Sequence, residues 1–358
     1  MNRGNDEQKW PTLVRPVDQV AKLAEDLLTA AGARHEDARL AAEVFIEADL
    51  RGIGLQGIDY MPLAVRALAS GRVSGSAVPR IVDESESSLM VDGGGGLIQP
   101  TAVFAIDRAI PKAKATGCCA IGLVNASENF MLGYYVERIA RAGCIGFATA
   151  TWAPLVHPWG GMEALLGTNP MAFGFPTQGE DPVIVDLATS ALANGRVRQA
   201  AYHDGSVPEG TGIGPDGRPT VVAKEIQRGA ISPLGGHKGY ALALAVAMLC
   251  GPLTGADVGR ALAGLKGGGE TYARLGHFYF VLDPDKFAGA DAFRVAASAF
   301  LEELRNSKAA PGFERVRIPG ERAFAQRRRS LEEGVEILEE TWRIVERLAK
   351  EFDVPFPG

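Results

Sequence analysis

The chain has little that would mark a metal centre, a dithiol or a membrane. It has only four cysteines, Cys118, Cys119, Cys144 and Cys250, all in apolar surroundings and without the paired spacing of a zinc site or a redox pair. They read as core thiols in a reducing compartment, so no metal site is expected. The longest apolar segment, Tyr240 to Leu253, falls short of the roughly 20 residues that a bilayer requires. The stretch Asn2-Arg3-Gly4-Asn5-Asp6-Glu7 holds no apolar signal core, and the two absences together point to a soluble, cytoplasmic protein. Basic character is scarce as well: the formal charge is −6, and the one tight cluster, Arg327-Arg328-Arg329, is short and lies beside acidic residues. Neither nucleic acid nor a membrane is an expected partner. No predicted strand runs into a Gly-x-Gly-x-x-Gly turn, which argues against a Rossmann domain. There is no internal repeat and no low-complexity linker.

Apolar material, in contrast, is plentiful. With 46% hydrophobic residues over 358 positions the chain can build a large core, and its length suits two or three domains. Val20, Leu23, Leu27 and Leu28 recur at helical spacing and predict a first helix stopped by Gly32; a second runs from about Glu36 to Leu50 and completes a hairpin. A glycine-bearing loop, Asp49 to Gly57, leads to a short helix, Met61 to Leu68. The pattern turns extended from Val78 to Asp92 and ends in four glycines, Gly93 to Gly96, whose entropic cost predicts close approach to another backbone or a ligand. A helix near Thr101 to Thr116 follows. The strand Ala120 to Asn125, the helix Gly133 to Ala142 and the strand Cys144 to Thr151 then read as a crossover pairing parallel strands. Trp152 to Pro176 reads as a long irregular segment of the kind that is usually functional. Strands are expected at Val183 to Asp186 and Phe278 to Leu282. One long helix is expected from Leu331 to Phe352, packed on the first two.

The chain is organised around Pro233-Leu234-Gly235-Gly236-His237-Lys238-Gly239-Tyr240 and the apolar run behind it. This is a loop feeding a helix N-terminus, and free N–H groups beside Lys238 suit an anionic group. A plain turn into a buried helix explains the stretch equally well. Because Tyr240 to Leu249 is apolar around its circumference, it is expected to be fully buried, in a homodimer.

Together with Leu166-Gly167-Thr168-Asn169-Pro170, Ala188-Thr189-Ser190, Pro158-Trp159-Gly160-Gly161, Val91-Asp92-Gly93 and Gly276-His277-Phe278, this stretch resembles the type-2 malate/L-lactate dehydrogenase family from about Gln19 to Val354. That family includes sulfolactate and ureidoglycolate dehydrogenases and piperideine-2-carboxylate reductases. The resemblance implies an α/β fold with a mixed central sheet flanked by helices, a non-Rossmann nicotinamide site, and a homodimer. It also implies a helical domain from residues 1–57 plus 290–358, a sheet and substrate domain from 58–118 plus 188–289, and a cofactor-binding insert at 119–187.

The resemblance also locates what has changed. Where the family reads Ser-His-Gly-x-x-Arg, with a histidine acid and an arginine for the substrate carboxylate, this chain reads Leu55-Gln56-Gly57-Ile58-Asp59-Tyr60. Gln56 is no acid near neutral pH, and Tyr60 cannot make a bidentate charged pair. Where the family has a second histidine, in Asn-Ser-x-His-Phe-Gly, this chain has Asn125-Ala126-Ser127-Glu128-Asn129-Phe130. Asp186, which in relatives orients the catalytic histidine, is kept. It is either a relic with a new hydrogen-bond partner or, if burial raises its pKa, itself a proton carrier. Among the histidines, His157 precedes Pro158-Trp159-Gly160-Gly161, where relatives have a small residue. It reads either as a replacement acid or as a loop histidine bonded to backbone.

The expected catalytic set is therefore Gln56, Tyr60, His157 and Asp186, with Arg51, Asp59 and Glu128 facing the substrate. The cofactor is expected at Asn125, Ser127, Gly160, Gly161, Thr168, Asn169, Ser190, Arg196, Gly235 and Lys238. Arg196, Arg198 and Lys238 are candidates for a ribose 2′-phosphate, but the linear sequence does not fix their distance to a ribose; NADPH is expected ahead of NADH because a reductive biosynthetic role fits the changed site better than catabolism. Cationic residues have given way to acidic ones, which favours a positively charged small-molecule substrate such as an imine or iminium. A non-redox enzyme reusing the cleft and a catalytically silent ligand-binding homologue are the competing readings. Retention of the cofactor-side motifs favours an NAD(P)H-dependent reductase.

Overall fold

The computed structural model describes residues 10–267 and 274–357; the polar tail at residues 1–9 lies outside them. The chain starts with β1 (Thr12–Arg15), α1 (Val17–Ala30), α2 (His35–Leu50) and α3 (Met61–Ala69). It continues through β2 (Arg80–Glu84), β3 (Ser88–Gly96), α4 (Ile98–Thr116), β4 (Cys118–Ala126), α5 (Leu132–Arg141), β5 (Ile145–Ala150), β6 (Met171–Phe175) and β7 (Val183–Leu187). Next come α6 (Asn194–Tyr202), the short strands β8 (Gly212–Ile213) and β9 (Pro219–Thr220), α7 (Ala223–Arg228), β10 (Ala230–Ile231) and α8 (His237–Cys250). The chain closes with β11 (Gly276–Leu282), α9 (Ala290–Arg305), α10 (Glu321–Glu333), β12 (Val335–Leu338) and α11 (Glu339–Glu351).

The central layer is a seven-stranded mixed sheet in the order β2-β3-β4-β11-β5-β6-β7. Only β3 and β4 pair in parallel, through the crossover helix α4. The β4-α5-β5 unit therefore corrects the sequence reading: its strands do not pair, because β11 lies between them, antiparallel to both. The alternating aromatic strand from late in the chain fills that slot. Its Tyr279 and Val281 are fully buried with Ile121 and Leu123 of β4 and Ala148 of β5 in one core under α4 and α5. The sheet draws strands both from 58–118 plus 188–289 and from 119–187.

The glycine run extends β3 rather than ending it. A Cβ at Gly93 would stand 2.8 Å from the Ala126 Cβ and 2.9 Å from the Asn125 carbonyl, which is the expected close approach to backbone. The long irregular segment likewise contains a strand, β6, paired with β5 and β7.

A second core joins α1, α2 and α3 to the carboxy terminus, with Phe45, Leu27 and Met61 packed near Trp342, Val345 and Leu348. The last helix thus packs where expected, but it is not one long helix. Gly334, at φ 100°, ends α10, and Val335 to Leu338 form β12, paired antiparallel with β1. Two apolar residues at helical spacing, Val335 and Leu338, are strand residues instead. Within the single chain, Tyr240 to Leu249 is buried on one side only. Ala243, Val246, Ala247 and Cys250 face the core, whereas Leu242, Leu244 and Met248 are exposed.

Candidate active site

The loop after α2 is shaped by one buried carboxyl. Asp49 Oδ2 accepts a hydrogen bond from the Ile58 N–H at 2.9 Å, and a Cβ at Gly57 would lie 2.1 Å from Asp49 Oδ1. Only glycine leaves that space, so the 3-10 turn Gly54–Gln56 folds back over α2 and turns Gln56 inward. Gln56 lines a cavity of about 340 Å³ together with Tyr60, Glu128, Asp186, Thr168 and Arg196. Its Oε1 is buried without a hydrogen-bond partner among the described residues.

Tyr60 is held from three sides. It hydrogen-bonds Asn194, meets Phe130 edge-on at 5.5 Å, and lies under the Arg198 guanidinium, 4.7 Å from the ring centre. Burial, followed by the nearby Glu128 carboxyl, raises its pKa, so the hydroxyl stays protonated and can donate a hydrogen bond. Glu128, just past β4, is half-buried, and desolvation pushes its pKa up to about 8, with Arg198 opposing the shift. Asp186, near the end of β7, is exposed to the cavity that it lines. Burial raises its pKa to about 6, opposed by the Gly133 N–H, which donates to Oδ2 at 2.7 Å in the first turn of α5. The site thus offers one carboxylic acid that is protonated at neutral pH and one that is mostly ionised.

Other expected site residues are committed elsewhere. Asp59 lies off this cavity; it pairs with Arg198 Nη2 at 3.0 Å and accepts from Thr341 Oγ1 at 2.6 Å. Arg51 is buried between Glu47, at 2.8 Å, and Glu137, and Arg327 also binds Glu47, so this network ties α2 to α5 and α10. His157 is buried, with Nδ1 2.9 Å from the Pro158 carbonyl and Nε2 3.2 Å from Ser232 Oγ, the backbone-bonded arrangement of a loop histidine. Ser127 Oγ accepts from the Ile98 N–H at the start of α4, Asn125 donates to Asp92, and Ser190 Oγ donates to the Leu192 carbonyl. Gly160, Gly161, Gly235 and Lys238 do not line the cavity; there Trp159 packs on Gly236, where a Cβ would meet the indole at 2.9 Å.

Among the lining residues that escaped the sequence reading are Asn194, Asn129 and Arg322. Asn129 donates to Tyr279 OH at 2.6 Å and lies 3.1 Å from His277 Nδ1. Burial lowers the pKa of His277 to about 4, which keeps it neutral. The glycine-rich strand entry Gly276-His277 was visible in the sequence, but the side-chain network under the cavity was not. A larger cavity, of 590 Å³, lies beside α9 and α10, but charges lining it are already paired, Arg305 with Glu321 and Arg328 with Asp181.

The family model described as malate/L-lactate dehydrogenase matches residues 16–346. The chain belongs to that family. It is 33% identical over 341 residues to L-sulfolactate dehydrogenase of Methanothermobacter thermautotrophicus, covering 95% of this chain and 97% of the relative. It is also 33% identical to the Δ1-pyrroline-2-carboxylate/Δ1-piperideine-2-carboxylate reductase of Pseudomonas putida over 331 residues, 92% of this chain and 95% of that one. Sulfolactate dehydrogenase from Methanocaldococcus jannaschii superposes with a TM-score of 0.89 at 32% identity, covering 96% of this chain and 98% of the other. These family members are oxidoreductases, and this chain is an oxidoreductase of the same fold.

A nicotinamide dinucleotide fits what the cleft offers. Thr151 and Trp152 are shared between the 340 Å³ cavity and an apolar one of about 180 Å³ lined by Gly167, Asn169, Leu244 and Met248. The exposed face of α8 therefore helps to form a second compartment, and the two together suit a long ligand with two planar ends. The Asn169 Oδ1 is buried there without a partner among the described residues, while its Nδ2 donates to the Ala243 carbonyl. A Cβ at Gly167 would lie 2.8 Å from the Trp152 carbonyl, so this loop is shaped by backbone. Among the described residues no group of three His, Cys, Asp or Glu could hold a metal ion, and no helix is long and apolar enough to cross a membrane.

Proposed function

We propose that the protein is an NAD(P)H-dependent reductase of imines or amino-bearing carbonyl compounds in which Glu128 replaces the missing histidine acid. One observation carries this reading: Glu128 shares the cavity with Gln56, Tyr60 and Asp186, in surroundings that hold its carboxyl protonated. A bound nicotinamide supplies the hydride for the substrate carbon. Glu128 gives its proton to the imine nitrogen and, as a carboxylate, stays paired with the cation it has made. Asp186, ionised at neutral pH, favours the same positive charge. Tyr60 and Gln56 offer neutral hydrogen bonds that position the substrate, and solvent reprotonates Glu128 after product leaves.

NADPH is the proposed cofactor and NADH the alternative. Arg196 lines the cavity, Lys238 stands exposed at the α8 N-terminus, and Arg198 is paired with Asp59. A helical unit from 1–57 plus 290–358 and a cofactor segment at 119–187 remain the proposed division of labour. We also propose a homodimer that covers exposed apolar residues such as Leu242 of α8 and Phe300 of α9; sedimentation as a monomer at micromolar concentration would contradict it.

The test is a panel of Δ1-piperideine-2-carboxylate, an amino ketone, a neutral ketone and pyruvate with each nicotinamide, in wild type and Glu128→Gln. Turnover of the imine is expected, reduced in the variant by about a hundred- to ten-thousand-fold. Activity on neutral ketones alone, or no protection by either nicotinamide in a thermal-shift titration, would overturn the reading.

A further inference from the structure

Arg322 stands apart from the other arginines of α10. Arg327 binds Glu47, Arg328 binds Asp181, and Arg329 binds the Gln326 side chain. Arg322 makes no hydrogen bond, ion pair or ring contact with any described residue, yet it lines the same cavity as Glu128 and Asp186.

Its backbone is nevertheless fixed. Gly320, at φ 96°, presses against β7, and a Cβ there would lie 3.2 Å from the Ile184 nitrogen, two residues before Asp186. Phe324 is buried in the same core as Ile184, and the Ile318 N–H donates to Glu321 at 3.2 Å. The first turn of α10 is thus pinned to the strand that carries Asp186, with one exposed arginine left over in the lining of the cavity. An arginine that has no protein partner presents two parallel N–H donors in the geometry that a carboxylate accepts.

We propose that Arg322 is the carboxylate anchor of this site, taking over from α10 the role that the loop position now occupied by Tyr60 cannot fill. The substrate then carries both an imine nitrogen and a carboxylate, the nitrogen toward Glu128 and the carboxylate toward Arg322. A protonated Glu128 does not repel that carboxylate, so the two groups are compatible in one pocket. The loss of cationic character read from the loops alone is therefore partly reversed by a residue far along the chain. This inference rests on the reductase reading for the direction of the substrate, but the anchor itself can be measured without turnover.

The experiment titrates the full-length protein calorimetrically with pyridine-2-carboxylate and with pyridine, in wild type, Arg322→Gln and Arg322→Lys. A fluorescence titration with NADPH and NADH runs on the same samples. Wild type is expected to prefer pyridine-2-carboxylate. Arg322→Gln should weaken its binding about ten- to a hundredfold, leaving pyridine and both nicotinamides unmoved, and Arg322→Lys should fall between. A loss of NADPH affinity with carboxylate binding unchanged would assign Arg322 to a cofactor phosphate and overturn the proposal. So would equal binding of the two probes, no binding of pyridine-2-carboxylate to wild type, or no effect of Arg322→Gln. Carboxylate selectivity without any imine turnover would contradict the reductase reading and leave the anchor standing.

Discussion

The two sides of the cleft are built from different materials. The side formed by Leu166 to Pro170 is made of backbone, as is the loop into α8 outside the cavity: a Cβ at Gly167 would collide with Trp152, and one at Gly239 would lie 2.2 Å from the Leu234 carbonyl. The side formed by Gln56, Tyr60 and Glu128 is made of side chains that project from a turn and a strand end into open cavity. Backbone-built geometry cannot change one residue at a time without strain, whereas projecting side chains can be exchanged while the fold stays put. On the proposed reading, that difference lets the motifs of the first side persist while the reactive residues of the second are exchanged.

The largest effect that would sharpen this contrast is on substrate choice. With Asp186 favouring a substrate that carries positive charge on nitrogen, turnover of pyruvate or oxaloacetate should lie at least about a hundredfold below that of a cyclic imine. Robust 2-oxoacid reduction by wild type would show that the loop has lost nothing. Introducing Gln56→His together with Tyr60→Arg should raise oxoacid turnover, and no rise would break the idea that the projecting side is freely exchangeable.

Stability should divide the same way. Gly239→Ala forces a methyl onto a carbonyl and is expected to destabilise by about 1–3 kcal/mol or more. Gln56→His, projecting into the cavity, should stay within about 0.5 kcal/mol of wild type. Thermal melts of the two variants check both, and equal melting temperatures would remove the distinction.

A smaller effect follows from Glu128. Its folded pKa, about 8, lies above the ordinary 4.5. The stability that goes with its protonated form is complete below about pH 4.5 and fades as pH rises through about 8, because the unfolded state ionises more easily. Asp186, raised to about 6, acts in the same direction at lower pH. Melting temperatures of wild type should therefore drop relative to Glu128→Gln between about pH 5 and 8, and parallel curves would contradict the buried-acid assignment.

The least effect is expected at Asp59, which the loop sequence placed against the substrate but which is occupied by Arg198 and Thr341. Asp59→Asn should leave the KM for an imine within about twofold and cost roughly 1 kcal/mol of stability at most. A large KM change would return Asp59 to the site.

Much of the scaffold was legible because periodicity reports burial. The α1–α2 hairpin, α3, the β4 and β5 strands and the helical packing of Trp342, Val345 and Leu348 all followed from it. It failed where long-range pairing decides the outcome. Val335 and Leu338 match a helical pattern, yet Gly334 and the pairing with β1 make them a strand. The place of β11 between β4 and β5 leaves no local trace. Of the candidate site, Gln56, Tyr60, Glu128, Thr168, Asp186 and Arg196 were named and do share one cavity. Arg51 and His157 are expected in the site, His157 with a backbone-bonded alternative, and their partners Glu137 and Ser232 are too distant in sequence to be foreseen. Arg322 was missed for the same reason in reverse: nothing near it in the chain predicts that its first turn docks on β7.

The central claim, that Glu128 is the acid of an imine reductase, is tested most directly by the pH dependence of kcat/KM for Δ1-piperideine-2-carboxylate in wild type and Glu128→Gln. The account predicts that wild-type activity falls with rising pH through a pKa of about 8, and that the variant is slower throughout and lacks that limb. The same limb in both proteins, or a variant as fast as wild type, would contradict it.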